Sequence, residues 1–373
     1  MMSNLSSLCT YAKGKVSVDT LSKQNYVSTE NMLPNKGGIV DAGGLPSVQY
    51  VQQYIKGDIL VSNIRPYFKK IWMANEDGGC SNDVLVFRAA HGCDSTFLYY
   101  VLSNDAFFNY ASATSKGTKM PRGDKIAIMQ YEVPCFDHET QLRIGKLLRS
   151  IDARITVNKK INDNLQQQAA ALFSSLYDRS NTEVRFTDLI QILGGGTPKT
   201  GENTYWNGNI AFFTPKDVGI PYTLITEKTI SKEGLSHCNS RLYPVNTVFV
   251  TARGTVGKVG MSGVPMAMNQ SCYALVGKET HQLLVYFYTL KAVDRLKHKA
   301  SGAVFDAITT RDFESEQIMK LSDDDATAFL RVAEPMFQEV LNNNIENLRL
   351  STLRDSLLPK LMSGEIDVSA VQL

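Results

Sequence analysis

The chain has 373 residues, long enough for two or three domains that each bury a core of their own. Its hydrophobic fraction of 43% and charged fraction of 20% are those of an ordered globular protein and exclude a largely disordered chain. The net charge of +2 gives no general attraction to nucleic acid, so any DNA-binding surface must be local.

The cysteines and the apolar runs exclude further classes. The six cysteines form no CxxC pair and no repeated spacing, so neither a zinc site nor a disulfide framework is expected. The first residues lead into no long apolar stretch, and the longest apolar run, from Leu283 to Leu290, is far too short to span a bilayer. These features predict a cytoplasmic protein with no metal ion, no cofactor and no membrane partner.

The sequence contains an internal duplication. A shift of 188 residues superposes segments 57–65, 81–83 and 97–102 on segments 245–253, 269–271 and 285–290. After a three-residue slip, a shift of 185 places Asn158 and Asn162 on Asn343 and Asn347. The period is far longer than that of a solenoid, so the chain is two copies of one half-molecule. A duplicated half predicts an approximate two-fold object, which suits a target made of two half-sites.

The first part of each half, residues 1–138 and 181–323, has short β-rich runs punctuated by Gly, Pro, Asn and Asp. Examples are residues 59–61, which follow Gly-Asp, and residues 247–250, which follow Asn. Short helices are expected at 95–110 and 280–298. Each of these parts is therefore predicted to be a compact α+β globule.

The second part of each half, residues 139–180 and 324–373, is predicted to be a long helix. Apolar residues and asparagines recur in alternating steps of four and three, which is the spacing of a coiled-coil seam. Pro335 should start a fresh helical segment or kink the second helix. The seam positions that we assign to helix packing or partner contact are Ile151, Ile155, Asn158, Asn162, Leu165, Met336, Val340, Asn343, Asn347 and Leu350.

Two packing arrangements fit these helices. Each could lie on its own globule as an amphipathic helix, or the two could pack on each other as an antiparallel coiled coil. The length of the seams favours mutual packing, and so do asparagines at equivalent positions, because a buried Asn needs a polar partner and fixes the register. The predicted fold class is α+β, with two mixed α/β domains separated by two long antiparallel helices that hold the domains at opposite ends.

Three motifs open the second half. Gly-Gly-Thr-Pro at 195–198 is followed by Tyr-Trp-Asn-Gly at 205–208 and by Thr-Pro-Lys-Asp at 214–217. The first motif is not a phosphate-binding loop, because Pro198 rather than Gly precedes Lys199. Together the motifs resemble the start of a target recognition domain in the specificity (S) subunit of type I restriction-modification systems.

The resemblance covers the whole chain in the order of that family. Segment 353–366 is similar to the end of the family's second conserved helix, and segments 158–162 and 171–173 are similar to the first. The first half lacks Gly-Gly-Thr-Pro, but its segments 26–38 and 63–70 resemble another branch of the same domain family. The domains implied are a first target recognition domain at 1–138, a first spacer helix at 139–180, a second recognition domain at 181–323, and a second spacer helix with the C-terminal tail at 324–373.

The resemblance also implies partners. These are double-stranded DNA, two modification subunits that are S-adenosylmethionine-dependent adenine N6-methyltransferases, and two ATP-dependent restriction subunits. The chain itself contains no Asn-Pro-Pro-Tyr or Asp-Pro-Pro-Tyr motif, no Walker motif and no Gly-rich nucleotide fingerprint, so we predict a non-catalytic DNA-recognition subunit. The rival interpretation is a tandem scaffold that joins other proteins through its helices and has no DNA role.

Candidate DNA contacts lie beside the repeated strands. Arg65 and Arg253 fall at matching places just past strands, and Arg and Lys suit guanine edges and phosphates. Asn82 and Gln270 also match, and their amides could read adenine. Each of these residues could instead be a solvated turn residue or a structural turn former.

The two halves differ in one further basic segment. Residues 116–122 are the most basic stretch of the first globule, whereas the counterpart at 300–305 is almost uncharged, so the two half-sites should differ. The full set of candidate DNA-binding residues is Arg65, Tyr67, Lys69, Lys70, Asn82, Lys116, Lys119, Arg122, Lys199, Lys216, Arg253, Lys258, Gln270 and Ser301.

Overall fold

The computed structural model describes residues 2–299, 307–369 and 371. It divides into two compact units. The first unit comprises residues 1–155 and 349–373, and the second comprises residues 156–348. The chain of the first unit is therefore discontinuous, and two long helices each contribute residues to both units.

The first unit is built from ten short strands, three short helices and the beginning of a long one. The strands are β1 Met2–Asn4, β2 Cys9–Tyr11, β3 Lys15–Ser17, β4 Tyr26–Val27, β5 Tyr50–Tyr54, β6 Ile59–Ser62, β7 Ile71–Met73, β8 Gly78–Cys80, β9 Val84–Ala89 and β10 Glu132–Pro134. The helices are α1 Ser95–Ser103, α2 Asp105–Ala113, α3 Lys125–Met129 and α4 His138–Asp178, of which residues 156–178 belong to the second unit.

Two four-stranded sheets organise the first unit, in the orders β2-β9-β6-β7 and β3-β5-β8-β4. Strand β6 lies centrally and is buried along its whole length, as its continuous apolar run Ile59–Val61 requires. Helices α1 and α2 cover the first sheet and bury Phe97 and Phe107 against Phe87 of β9. Asn104 separates the two helices, because its extended backbone ends α1 and its side chain accepts the backbone N–H of Ala106 at the start of α2.

The second unit has a similar composition of elements. Its strands are β11 Thr182–Arg185, β12 Ile190–Gly194, β13 Trp206–Phe213, β14 Tyr222–Thr223, β15 Lys228–Ile230, β16 Val248–Thr251, β17 Val259–Ser262, β18 Met266–Met268, β19 Cys272–Gly277 and β20 Gln317–Lys320. Its helices are α5 Phe186–Leu189, α6 Lys232–Ser236, α7 Gln282–Lys299, α8 Thr310–Glu314 and α9 Asp323–Ser363, of which residues 349–363 belong to the first unit.

The strand frame of the first unit recurs in the second. Strands β9-β6-β7 form an antiparallel core in the first unit, and β19-β16-β17 form the same core in the second. A parallel pair beside each core, β4 with β8 and β13 with β18, is also repeated. The predicted duplication and the predicted α+β class of each part are confirmed.

The long helices pack both on their own unit and on each other. In the second unit, Phe173 of α4 and Phe329 of α9 enter the core that also contains sheet residues such as Val250. In the first unit, Leu148 of α4 and Leu361 of α9 do the same. The two packing arrangements left open by the sequence therefore coexist. Among the described residues, no helix is both long enough and apolar enough to cross a membrane.

Helix α9 runs without interruption through Pro335. Of the two alternatives for Pro335, a fresh helical segment is therefore wrong, and a kink stays a prediction. A proline in a helix costs one i→i−4 hydrogen bond, and burial of the flanking Ala333 and Phe337 in the core of the second unit accompanies the unbroken helix.

Candidate nucleic-acid interface

The basic segments of the first unit meet at one end of the sheet β2-β9-β6-β7. Strands β2 and β6 end there, and their antiparallel neighbours β9 and β7 begin there. We call this region the first sheet end and define it as residues 13–15, 28–31, 63–70, 81–83 and 116–122. The topology alone thus gathers segments that are up to about a hundred residues apart in the sequence.

The loop between β6 and β7 is strained. Arg65 and Lys69 both have a φ of 51° and flank the 3-10 turn Pro66–Phe68. Left-handed backbone costs an L-residue roughly 1–2 kcal/mol, and such strain often persists where the side chain is useful. Lys69 has a use inside the protein, because its Nζ lies 2.8 Å from Asp105, which Lys36 also contacts at 2.9 Å.

This ion-pair cluster has an electrostatic signature. Partial burial acts to raise the pKa of Asp105, but the ammonium groups of Lys69 and Lys36 outweigh it and hold that pKa below its ordinary value. Lys70 is held in place too, since its Nζ donates to the carbonyl oxygen of Thr29 at 2.5 Å. The candidate residues Lys69 and Lys70 therefore both have partners within the unit.

Arg65 has no such partner. Within the part of the chain that the structure describes, its guanidinium makes no ion pair and no side-chain hydrogen bond. Its backbone N–H donates to the carbonyl oxygen of Pro121 at 2.8 Å, which holds the residue against loop 116–122. Tyr67, two residues on, is 52% exposed and lies against Phe68 with 4.8 Å between ring centroids. The loop thus exposes Tyr67 and leaves the half-buried Arg65 without an internal partner among the described residues.

Residues 116–122, which we call the basic loop, are largely neutralised. Lys116 and Arg122 exchange backbone hydrogen bonds of 2.9 Å. Lys116 pairs with Asp124 at 2.5 Å and Arg122 pairs with Asp83 at 3.1 Å. The hydrogen bond from Lys116 lowers the pKa of Asp124. Lys119, at the exposed tip, makes no ion pair among residues 2–299 and 307–369 and is the most available cation of this loop.

The second unit repeats the construction. Strands β12 and β16 end, and β19 and β17 begin, at one end of the sheet β12-β19-β16-β17-β14. We define the second sheet end as residues 195–198, 214–217, 252–258 and 269–271. The Gly-Gly-Thr-Pro and Thr-Pro-Lys-Asp motifs both lie in it.

Close backbone contact explains the glycines of the first motif. A Cβ on Gly195 would overlap two backbone carbonyl oxygens, those of Asn269 and of Met268, the latter at 2.5 Å. The turn therefore packs directly on the segment that carries Gln270. Thr197 extends this contact, because its hydroxyl donates to the Oε1 of Gln270 at 2.5 Å. The side-chain amide of Gln270 is left with its N–H₂ group as the available donor.

Four other candidates of the second half occupy different settings. Arg253 and Lys258 are exposed and make no ion pair within the described ranges. Lys216 lies 3.8 Å from Glu227, a weak surface pair. The side chain of Lys199 is exposed while its carbonyl oxygen accepts the indole N–H of Trp206 at 3.1 Å. The remaining candidate, at position 301, lies outside the described residues.

Backbone hydrogen bonds show that the two loops at these sheet ends differ in length. Ser62 N–H donates to Lys70 in the first unit at 3.1 Å, and Thr251 N–H donates to Lys258 in the second at 3.0 Å. The partners are 70 − 62 = 8 residues apart in the first unit and 258 − 251 = 7 apart in the second. The second loop is therefore one residue shorter than the first. The shift between equivalent residues of the two units is 251 − 62 = 189 where the loop begins and 258 − 70 = 188 where it ends.

This slip corrects the predicted equivalence of Arg65 and Arg253. Ile64 bridges the basic loop in the first unit, and Arg253 bridges Ala307 in the second, so Arg253 corresponds to Ile64. The counterpart of Arg65 is Gly254, and both have left-handed backbone, with φ of 51° and 83°. The prediction was wrong by one residue because strand pairing, rather than the linear match, sets the register.

The match of Asn82 with Gln270 is retained. In each unit the carbonyl oxygen of the next residue, Asp83 or Ser271, accepts a backbone hydrogen bond of 2.8 Å from the end of β6 or β16. Asn82 is exposed, and its side chain makes no hydrogen bond among the described residues. The two amides therefore occupy equivalent places, but Gln270 is oriented by a neighbour and Asn82 is not.

The predicted helix seam is buried in the second unit and is held by asparagines. Asn162 is 4% exposed, and its Nδ2 donates to Asn344 at 2.9 Å while its Oδ1 accepts from Asn343 at 2.9 Å. Asn158, fully buried, donates to Asn347 at 3.0 Å. The contact of residue 158 with 347 and of 162 with 343 shows that the helices are antiparallel. Val340 is fully buried, and Leu165 and Met336 pack against the same core.

The seam in the first unit contains a polar network that the periodicity did not predict. Arg354 of α9 donates to Asp152 of α4 at 2.7 Å, and the Tyr100 hydroxyl donates to the same carboxylate at 2.6 Å. Burial is the main cause that raises the pKa of Tyr100, with the Asp152 carboxylate second. Around this network Ile151 and Ile155 are buried and Leu350 is half-buried.

A family model described as the type I restriction modification DNA specificity domain matches residues 1–167 and again 179–320. The chain belongs to this family. It is therefore a non-catalytic DNA-recognition subunit of a type I restriction-modification complex, whose other members are methyltransferase and restriction subunits.

Individual relatives agree with the family assignment. The HindI specificity subunit of Haemophilus influenzae is 24% identical, over 91% of this chain and 94% of its own. The EcoR124I/EcoR124II specificity subunit of Escherichia coli is 28% identical over 42% of each chain. The crystal structure of a type I S subunit from M. genitalium has the same fold, with a TM-score of 0.64, 16% identity, and coverage of 97% of this chain and 96% of that one.

Proposed function

We propose that each sheet end reads one half of a split, asymmetric DNA sequence. The observation that carries the proposal is a shared antiparallel strand core with different polar side chains at its end. The first sheet end presents Arg65, Lys119 and Asn82, and the second presents Arg253 and Gln270. A shared frame with different side chains suits two different half-sequences in the same type of groove.

The chemistry of these side chains supports base reading. An arginine without an internal partner can make a bidentate contact to the major-groove edge of guanine, and a free amide suits adenine. Lys69, Lys116 and Arg122 have carboxylate partners, so we assign them to shaping the loops rather than to base contact. Lys119 and Lys258 are exposed ammonium groups that suit phosphates.

The long helices carry the partners in this proposal. Six of the ten predicted seam residues are buried and the other four are half-buried, so we assign them to holding the helix pair rather than a partner. Exposed apolar residues of α4 in the second unit, Val157 and Ile161, suit a docking methyltransferase subunit better. We propose two modification and two restriction subunits for each chain, acting on host DNA in the cytoplasm.

Methylome sequencing tests the proposal. A host carrying the chain and its modification subunit should show a bipartite methylated sequence that disappears when the gene of this chain is deleted. Replacing residues 1–138 with the matching segment of a relative should change only one half of that sequence. Methylation that persists after deletion of the gene would contradict a DNA-recognition role for this chain. A change in both halves of the sequence after the exchange would contradict independent reading by the two sheet ends.

A further inference from the structure

A cleft of about 390 Å³ lies beside the first sheet end and has no assigned role. Lys13, Lys15 and Lys125 line it together with Asn82 and the exposed ring of Tyr50. Among the residues that the structure describes, no carboxylate lines it. The cleft is thus a concave, water-accessible surface with three ammonium groups and one candidate base-reading amide.

The charge of this cleft is uncompensated. Lys13, Lys15 and Lys125 are exposed, and none makes an ion pair within residues 2–299 and 307–369. This contrasts with Lys69 and Lys116 nearby, which have carboxylate partners. Three like charges that converge without a counter-ion raise the local positive potential and favour an anionic ligand.

Strand register identifies the counterpart of this segment in the second unit. Tyr11 pairs with Phe87 across β2 and β9, and Ile192 pairs with Leu275 across β12 and β19. Because β9 and β19 correspond, residues 13–15 correspond to residues 194–196. Segment 13–17 therefore stands where the second unit has its Gly-Gly-Thr-Pro turn. Gly14, with φ of 137°, corresponds to Gly195 at the centre of each turn.

The second unit shows what this turn contacts. There the turn packs on residues 268–270 and Thr197 orients Gln270. In the first unit the same turn carries ammonium groups beside Asn82, the counterpart of Gln270. The turn after the first strand of each sheet is therefore placed next to the candidate amide in both units, but with different chemistry.

We propose that Lys13 and Lys15 bind the phosphodiester backbone of duplex DNA at the first half-site and so set the position of Asn82 on a base edge. This inference rests on the proposed function. Glycines occupy the equivalent places in the second unit, Gly194 and Gly196, so this phosphate contact belongs to the first half-site alone. Phosphate contacts position a protein on DNA without reading sequence.

The test measures DNA binding as a function of salt. The full chain, assembled with its modification subunits, is titrated with a duplex that contains the methylated sequence, at several salt concentrations. The double variant Lys13→Gln/Lys15→Gln should bind more weakly, and the slope of log K against log salt should become shallower by about one for each lysine. The methylated sequence should stay the same.

The matched control is Lys23→Gln/Lys56→Gln. Both lysines are exposed and precede strands β4 and β6, which run toward the first sheet end, so they lie at the opposite end of the sheets. The proposal is overturned if the two double variants have the same salt slope, or if Lys13→Gln/Lys15→Gln changes the methylated bases. Absence of salt-dependent binding by the unmodified complex would instead contradict the proposed function itself.

Discussion

The loop between β6 and β7 and its counterpart between β16 and β17 have the same left-handed backbone positions but different residues at them. Both need left-handed backbone at two positions. The second unit uses Gly254 and Gly257, for which this conformation is free of strain. The first unit uses Arg65 and Lys69 and bears the strain. Lys69 pairs with Asp105, whereas Arg65 has no ion-pair partner among the described residues, so we propose Arg65 as the side chain of this loop that contacts an external ligand.

The turns after β2 and β12 both have a central glycine, but for different physical reasons. In the second unit the turn packs directly on residues 268–269, and this close backbone contact requires glycine at position 195. In the first unit the nearest atom to a Cβ on Gly14 is a flexible side-chain atom of Gln53 at 3.1 Å, and backbone conformation dictates the residue instead. The first turn has charged side chains at positions 13 and 15, whereas in the second turn a Cβ at position 196, the counterpart of 15, would overlap the backbone N of Asn239 at 2.7 Å.

The steric contact at Gly195 provides the largest expected effect. Gly195→Ala should lower the free energy of unfolding by about 1–3 kcal/mol or more, because the new methyl group would overlap backbone carbonyl oxygens that cannot move aside. Urea unfolding measures the change. Gly194→Ala is the matched control, since a Cβ there meets nothing within 4 Å. Equal stability of the two variants would show that the turn does not pack on residues 268–270 as described.

A glycine at position 65 separates the DNA contact of the arginine from the strain of its backbone. Arg65→Gly should weaken DNA binding by about 1–3 kcal/mol if the arginine makes a bidentate base contact. The same variant should be at least as stable as the unmodified chain, because relief of left-handed strain offsets the greater entropy of an unfolded glycine. Binding by fluorescence anisotropy and unfolding by urea measure the two effects separately.

A side chain at position 254, the counterpart of Arg65, measures the cost of left-handed backbone in the second unit. Gly254→Ala should lower the free energy of unfolding by about 1 kcal/mol, because alanine is strained at a φ of 83°. Arg253→Ala in the same loop should leave stability unchanged and weaken DNA binding, since Arg253 is exposed and outside the left-handed positions. Binding by Arg65→Gly and Arg253→Ala at the level of the unmodified complex would remove both arginines from the site.

The smallest expected effect is a pH dependence confined to the first unit. A carboxyl whose pKa is lower when folded stabilises the protein above its ordinary pKa, and this contribution is lost as pH falls through the folded value. For Asp105 the loss should therefore occur below about pH 3.8. Its exposure of 56% limits the contribution to a few tenths of a kcal/mol.

Asp105→Asn isolates this contribution. The difference in free energy of unfolding between the unmodified chain and this variant should be present at pH 7 and shrink as the pH falls below about 3.8. A difference that is constant over this range would show that Lys36 and Lys69 are not bound to the ionised carboxylate. In the second unit Gly257 stands in place of Lys69 and has no side chain to form such an ion pair.

The sequence predicted the parts of this molecule that depend on local periodicity. The seam from Ile151 to Leu176 and the repeated strands around Val61 and Val250 follow from apolar spacing, which burial imposes on helices and strands directly. The amide match of Asn82 with Gln270 could be found because no insertion separates it from the repeated strand β9 or β19.

Other features depend on pairing between distant segments and leave no linear signal. The turn at 13–15 was missed because its shift to the second unit is 181 rather than 188, and only its central glycine is shared. The ion pair of Lys69 with Asp105 joins residues 36 positions apart. The network of Arg354 with Asp152 joins residues 202 positions apart. Spacing arguments reach only as far as neighbouring turns of a helix or residues of a strand.

The one-residue difference between the two loops bears on how such proteins diverge. Equivalent backbone hydrogen bonds close both loops, from Ser62 to Lys70 and from Thr251 to Lys258, although the second loop is one residue shorter. If these loops contact bases as we propose, a gain or loss of one codon here changes which loop side chains face the bases, while the strands keep their partners. On this proposal, new target preferences are accessible through short insertions and deletions as well as through substitution, with the cores of both halves left undisturbed.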